Sequence, residues 1–300
     1  MPNPSTIRIG ITSGGEICLH QGAMDIGQGS NTVITQIAAD ALGIPVAEFR
    51  LIGADTAVTP DCGKTSASRQ TVISGKAALL AAGALRAQII RLANISENAD
   101  IKVSDGILFV SNAETTREIV LSSLSEDAFG YVLRSEETYD PPTAALDENG
   151  QGAPYAVYGY GSQMAEVEVD MKLGTVKVLK MTAAHDVGNV INPLLAEGQI
   201  EGGIAQGLGM ALMEEYHAGL TDNLHDYLIP TIGDVPVIES HLTEVPDPEG
   251  PLGAKGIGEH VLIPTAPAIS NAIRHATGAE LSRLPARPDR VLAAIKASRT

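Results

Sequence analysis

The stretch that most constrains the fold is residues 193–212, PLLAEGQIEGGIAQGLGMAL. Leu195, Ile200, Ile204, Leu208, Ala211 and Leu212 recur at helical spacing and Pro193 suits a first helical turn, so the pattern predicts an amphipathic helix. Its glycines oppose that prediction, because Gly198, Gly202, Gly203 and Gly207 each cost about 1 kcal/mol relative to Ala in a helix interior. A chain tolerates them where a ligand or another backbone comes closer than a Cβ would allow. Gln199 and Gln206, on the same stretch, thereby become candidate ligand contacts.

Glycine is abundant throughout, with 31 residues against three Phe, seven Tyr and no Trp. Close backbone packing must replace aromatic bulk, and bare backbone suits the surround of a large polar cofactor. The 300 residues make one large domain or two ordinary ones. Thirty-six acidic against 20 basic residues leave a net charge of −16, without the basic patch that a phosphate backbone requires, so nucleic acid is excluded as a partner. Cys18 and Cys62 belong to no CxxC or Cys/His cluster; an iron–sulfur site or structural zinc within this chain is not expected, and Cys62 reads as an ordinary buried thiol. The start Met1-Pro2-Asn3-Pro4-Ser5 lacks a basic segment followed by an apolar run, and no window reaches about 18 uninterrupted apolar residues. The expectation is a cytoplasmic protein with no membrane partner.

In chain order, residues 6–12 and 16–21 alternate as strands around Ser13-Gly14-Gly15, and residues 49–54 read as another strand. A long Ala-rich helix is predicted to open near Asp61 and end near Leu92, followed by a hairpin at 101–103 and 107–110 and a short helix at 121–126. Residues 134–151 are polar and read as a surface excursion. Residues 155–170 and 175–185 predict a hairpin whose Glu166, Glu168 and Asp170 share a solvated face. Strands at 225–229 and 236–243 and helices at 265–277 and 288–297 complete the pattern.

Four loops, three of them carrying glycine, punctuate these elements. Gly27-Gln28-Gly29 sits in a strand-to-helix turn whose amides could face a phosphate or a pterin edge, or form only a tight turn. Its spacing is neither GxGxxG nor a P-loop. Ser66, Ala67, Ser68, Arg69 and Gln70 open the Ala-rich helix, either as a second cradle or as multiple caps. Asp186-Val187-Gly188 with Asn192-Pro193 precedes the glycine-bearing helix. Gly253-Ala254-Lys255-Gly256-Ile257-Gly258-Glu259 ends on one carboxylate beside an apolar run; desolvation there would raise its pKa and suit a general base, whereas a bland Gly-rich turn would leave it solvated. Among the neighbours, His185 reads as a satisfied core or surface residue, His225 as a possible neighbour of the cofactor, His260 as tuning the acid or facing solvent, and Lys255 as structural.

Taken together and in this order, the motifs resemble the molybdenum hydroxylases, the family of xanthine dehydrogenases and aldehyde oxidoreductases. The resemblance covers nearly the whole chain but only the second half of that family's molybdenum-cofactor region. It implies that Gly27, Gln28 and Gly29 form the pterin loop, that Ser66, Ala67, Ser68 and Gln70 contact the cofactor at a helix start, that Gln199 and Gln206 lie along it, and that Glu259 is the general base. No side chain would ligate the metal, which is held by the pterin dithiolene. The implied cofactor is molybdopterin cytosine dinucleotide with molybdenum and a terminal sulfide or selenide.

The family's upstream GGGFGG-like loop, its substrate-pocket residues, its iron–sulfur cysteines and its flavin domain are not in this sequence. The resemblance therefore implies a large molybdopterin subunit, a 2Fe-2S subunit and an FAD subunit as partners. Wording around residues 21–32 and 61–75 is most similar to the medium molybdopterin subunit of the nicotinate dehydrogenases, implying hydroxylation of a small N-heteroaromatic substrate, nicotinate to 6-hydroxynicotinate, with oxygen from water. A xanthine or aldehyde dehydrogenase subunit, a truncated longer enzyme and a non-catalytic assembly subunit are the alternatives. The expected fold is α+β, with mixed, mostly antiparallel sheets and long helices in two molybdopterin-binding subdomains, residues 1–152 and 153–300.

Overall fold

Alternation dictates the first sheet. Strand β1, Ser5–Ile11, buries Ile7, Ile9 and Ile11 completely, and β2, Ile17–Gln21, pairs with it antiparallel so that Ile9 faces Leu19. Strand β3, Phe49–Gly53, adds in parallel to β2. The computed structural model describes residues 2–96 and 98–298. Helix α1, Ser30–Leu42, and helix α2, Gly75–Ala93, pack together, α2 lying on β1. The small residues Ala77, Ala78, Ala81 and Ala82 of α2 are fully buried with Leu85 and Ile89, the close approach expected of a chain poor in aromatics. A hairpin with a third strand, β4 Asp100–Ser104, β5 Ile107–Ser111 and β6 Thr116–Val120, makes a second small sheet.

Three readings from sequence are corrected in this half. Residues 134–151 are not simply an excursion, because Leu133–Tyr139 forms β7 and pairs antiparallel with β1, completing the order β3-β2-β1-β7. Its polar residues are satisfied where they stand: Arg8 pairs with Glu136 at 2.5 Å, Arg134 with Asp127 at 2.5 Å, and buried Ser135 donates to the Ala81 carbonyl at 2.5 Å. A hydropathy pattern cannot see such a strand. The short helix at 121–126 is a single 3₁₀ turn, Leu121–Ser123. The Ala-rich helix begins at a π-helical turn, Gln70–Ser74, not at Asp61. Residues Gln70–Ala93 are long and apolar enough to cross a membrane by length and composition alone; half of that stretch is buried in the protein, as in a core helix.

The other sheet is ordered β10-β9-β8. Strand β8, Gly161–Val169, and β9, Val176–Asp186, form the antiparallel hairpin, and β10, Val237–Thr243, runs parallel to β9. Glu166, Glu168 and Asp170 are exposed, as their shared face requires. Residues 225–229 form a turn and irregular loop, not a strand. Helix α3, Pro193–Leu212, starts with Pro193 in its first turn and with the Asn192 side chain accepting the Leu195 N–H at 3.1 Å. Helices α4, Thr265–Thr277, and α5, Pro288–Ala297, complete a core of Met181, Ile200, Ile204, Val261, Ile269 and Val291.

The glycines of α3 divide by face. A Cβ on Gly203 would lie 2.8 Å from Val261 Cγ1, and one on Gly207 would collide with the Thr265 side chain at the start of α4. Gly198 and Gly202 face open space, with nothing within 4 Å of an added Cβ. A Cβ on Gly209 would collide with the Glu214 side chain, so close packing within the chain accounts for Gly203, Gly207 and Gly209 but not for Gly198 and Gly202.

The architecture is α+β, with five antiparallel and two parallel strand pairings among the described residues. The chain divides into two compact units, Met1–Tyr158 with Pro246–Gly256, and Gly159–Val245 with Ile257–Thr300. The sequence-based division at 152/153 differs by six residues and does not anticipate that the segment 246–256 belongs with the first unit.

Candidate functional site

In the first unit, Gly27 (φ 103°) and Gly29 (φ 84°) carry the backbone through the left-handed region between β2 and α1. The amides of this turn are already engaged. Asp25 Oδ1 accepts the N–H of Gly27 at 2.8 Å and of Gly29 at 3.4 Å, and its Oδ2 accepts that of Asn31 at 3.0 Å. Gln28 folds onto its own loop, its Oε1 accepting the Ile26 N–H at 2.7 Å and its Nε2 donating to the Met24 carbonyl at 3.4 Å. Burial pushes the Asp25 carboxyl up, but the amides of Asn31, Gly27 and Gly29 outweigh it and hold the pKa below its ordinary value. A phosphate at this turn would meet a carboxylate, so the phosphate reading is corrected. Gln21 Oε1 and Ser30 Oγ are buried beside the turn without hydrogen-bond partners, so the edge of a neutral, hydrogen-bonding heterocycle fits there better than an anion. Replacing Asp25 by Ala removes the acceptor for three amides; about 1–3 kcal/mol of stability should be lost, measurable by urea unfolding.

The second loop is strained. Ala67 (φ 54°) and Ser68 (φ 51°) are consecutive non-glycine residues in the left-handed region, a conformation that persists only where the surroundings enforce it, at on the order of 1–3 kcal/mol each. Arg69, 4% exposed, supplies part of that enforcement by donating to the carbonyls of Lys64 at 3.2 Å, Asn3 at 3.0 Å and Pro4 at 2.8 Å. Gln70 turns inward: its Nε2 donates to Lys64 O at 3.1 Å and lies 3.2 Å from Thr65 Oγ1, and its Oε1 accepts from Ser74. Of this group, Ser66 and Ala67 are exposed and Ser68 half-buried, while both ends of the Gln70 amide are engaged within the chain.

These loops meet. Thr65 Oγ1 donates to Met24 O at 2.7 Å, and a Cβ on Gly256 would approach Ser68 O to 2.6 Å. The first unit therefore gathers the 24–29 turn, the 65–68 loop and the 253–256 segment. Buried Cys62 is structural, its Sγ donating to Thr6 O at 3.0 Å and accepting the Gly22 N–H at 3.1 Å.

In the second unit, Gln199 is half-buried and Gln206 exposed on α3, sharing a face with the open glycines Gly198 and Gly202. His225 lies in an exposed turn, with its N–H on Asn223 Oδ1 at 2.8 Å. Asp186 organises its own turn, accepting the Gly188 N–H at 3.0 Å and the Val245 N–H at 3.3 Å. Glu259 is exposed. The sequence expectation of a desolvated acid is thus not met by this chain, since the glycines that carry Glu259 outward leave no apolar cover over it.

Beneath it lies a cluster that sequence reasoning missed. His185 is fully buried, and its ring centroid is 5.0 Å from that of half-buried His260. Room for both rings comes from Gly159 and Gly161: a Cβ at 159 would approach His260 to 3.0 Å, and one at 161 would collide with His185. The repeated Tyr-Gly before β8 was the legible signal. Gln163 Nε2 donates to Val261 O at 2.7 Å and lies 3.1 Å from His185 Nε2, while its Oε1 accepts from Thr265 Oγ1 at 2.7 Å.

Burial, with His260 beside it, lowers the His185 pKa to about 4. An unfolded chain takes that proton near the ordinary value of 6.5. As pH falls from there toward 4, the unfolded state binds a proton that the folded state refuses, so the stability present above that window declines through it. Urea midpoints should therefore fall more steeply between neutral pH and about pH 5 for the natural sequence than for His185→Gln.

Among the described residues, no group of three or more His, Cys, Asp or Glu could hold a metal ion. A cavity of about 640 Å³ in the second unit, lined by Val176, Val178, Leu208, Leu212, Val235 and Val237 among others, contains none of the expected site residues.

The chain is similar to several known proteins. The family model described as "Molybdopterin cofactor-binding domain" matches residues 1–236. The putative xanthine dehydrogenase molybdenum-binding subunit XdhA of Escherichia coli is 34% identical over 294 residues, covering 95% of this chain and 38% of that protein. The 6-hydroxypseudooxynicotine dehydrogenase complex subunit gamma of Paenarthrobacter nicotinovorans is 31% identical over 296 residues, covering 94% of this chain and 36% of the relative. Among solved structures, the aldehyde oxidoreductase of Desulfovibrio desulfuricans superimposes with a TM-score of 0.82 at 31% identity, over 98% of this chain and 30% of its own. The chain thus spans less than two-fifths of the length of these proteins.

Proposed function

The chain belongs to the molybdenum hydroxylase family, through the C-terminal half of the molybdenum-binding region, and we propose that it supplies the second half of a molybdopterin site in which Glu259 is the general base. The observation that carries the reading is the gathering of the 24–29, 65–68 and 253–256 loops in one unit, with the strained pair Ala67 and Ser68 at its middle. Such strain marks a backbone shaped for a ligand.

Gly27, Gln28 and Gly29, with the unpartnered Gln21 Oε1 and Ser30 Oγ beside them, offer hydrogen bonds to a pterin edge. Ser66, Ala67 and Ser68 present the strained loop, and Gln70 acts behind it by holding Lys64 and Thr65. Gln199 and Gln206 line the open glycine face of α3, where the group's backbone-close approach would fill the space left at Gly198 and Gly202. The group, molybdopterin cytosine dinucleotide with a terminal sulfide or selenide, supplies two-electron redox chemistry and water-derived oxygen. Glu259 would take the proton from the attacking oxygen, and a covering large molybdopterin subunit would exclude water from it. Iron–sulfur and FAD subunits carry the electrons away in a cytoplasmic complex.

The substrate is an electron-poor N-heteroaromatic ring, with nicotinate to 6-hydroxynicotinate as the leading case. Relatives named for a purine, a nicotine-derived compound and an aldehyde are 34%, 31% and 31% identical to this chain, which keeps purines and aldehydes as the second reading. Native isolation of the complex followed by turnover with nicotinate, hypoxanthine and aldehydes tests this: preferred turnover of nicotinate supports the first reading, and preferred turnover of hypoxanthine or an aldehyde replaces it.

A further inference from the structure

The segment that follows Glu259 is anchored at both ends. Val261 is fully buried and Thr265 likewise; Gly203 and Gly207 of α3 lie flat against them, leaving no room for a Cβ. Across the hairpin, one side chain of β8 reaches both ends of the segment. Gln163 Nε2 donates to Val261 O at 2.7 Å, and Gln163 Oε1 accepts from Thr265 Oγ1 at 2.7 Å.

The orientation of that amide is fixed by chemistry. A backbone carbonyl only accepts, so the amide nitrogen must face Val261. Its second N–H then points to His185 Nε2, 3.1 Å away, and His185 must accept there as a neutral imidazole protonated on Nδ1. That Nδ1 is buried without a hydrogen-bond partner, an uncompensated group that a fold retains when the opposite ring nitrogen is needed. Turning the amide over would set oxygen against the Val261 carbonyl, and a proton on His185 Nε2 would set donor against donor.

We propose that Gln163, kept in one orientation by neutral His185, is the positioning residue for the Glu259 base, pinning the 261–265 segment two residues beyond it so that the exposed carboxylate projects from a fixed stem. This rests on the reading of Glu259 as base and deepens it. Displacement of a catalytic group by about 1 Å can lower rate about 100-fold; a rigid stem limits such displacement.

The test uses the assembled holoenzyme with Gln163→Met, which keeps volume and removes both hydrogen-bonding ends, and with Thr265→Val, which removes one. Each is measured alone and in a Glu259→Gln background. Molybdenum content should stay at the wild-type level, amide exchange of residues 257–264 should quicken, and kcat should fall about 10- to 100-fold for Gln163→Met with KM little changed. In the Glu259→Gln background the same change should have no further effect, because a residue acting through the base loses its effect with the base. An equal fall in both backgrounds would make Gln163 merely structural, and unchanged kcat or lost molybdenum would also overturn the proposal. If Glu259→Gln alone retains full turnover, the base reading fails, and that outcome is read from a separate variant.

Discussion

Glu259→Gln in the assembled holoenzyme is expected to lower turnover by about 10²–10⁴-fold while molybdenum content stays near the wild-type value. The substitution preserves shape and removes only the capacity to take a proton. Because Glu259 is exposed in this chain while Val261 and Thr265 beyond it are buried, folding should be untouched. Glu259→Ala should likewise lower turnover by orders of magnitude. Steady-state turnover beside metal analysis checks both. Turnover near wild type in either variant would remove the base assignment.

The second large effect is a contrast within one helix. Gly207→Ala should destabilise the chain by about 2 kcal/mol, the range of an overpacked core, although Ala is intrinsically better than Gly in a helix by about 1 kcal/mol. The new Cβ would collide with Thr265, and α3 or α4 must move. Gly202→Ala meets nothing within 4 Å and should stabilise by about 1 kcal/mol. The same methyl group would stand on the face that Gln199 and Gln206 share, so cofactor retention should drop even as the fold strengthens. Urea unfolding and bound molybdenum, measured on both variants, should move in opposite directions for Gly202→Ala. A Gly202→Ala variant that is more stable and retains full cofactor would take the ligand away from this face.

Why some of this was legible in the sequence follows from what each signal reports. Ile7, Ile9 and Ile11 against Leu19 declared the first hairpin because one face of it is buried, and Pro193 with its stripe of apolar residues declared α3. Strand β7 stayed hidden because Arg134, Glu136 and Ser135 are satisfied by ion pairs and a buried carbonyl, two of these interactions with residues far off in sequence. The loops of the site were visible as glycine clusters, but their use of hydrogen bonds was not. Asp25 takes the Gly27 and Gly29 amides that a phosphate would have needed. Nothing local in the sequence distinguishes a carboxylate that faces solvent from one that fills its own turn. The Gln163–His185 cluster joins positions 22 residues apart on paired strands to a segment nearly 100 residues on, and only the register of β8 on β9 brings them together. The exposure of Glu259 was missed because its apolar neighbour Val261 turns inward while the glycines before it carry the carboxylate out.

The most direct measurement is molybdenum and pterin analysis of the natively isolated complex that contains this chain. The account predicts one molybdenum and one molybdopterin cytosine dinucleotide for each copy of the chain, because its loops complete a single site. A natively isolated, intact complex devoid of both would contradict it and leave the chain as a non-catalytic assembly subunit.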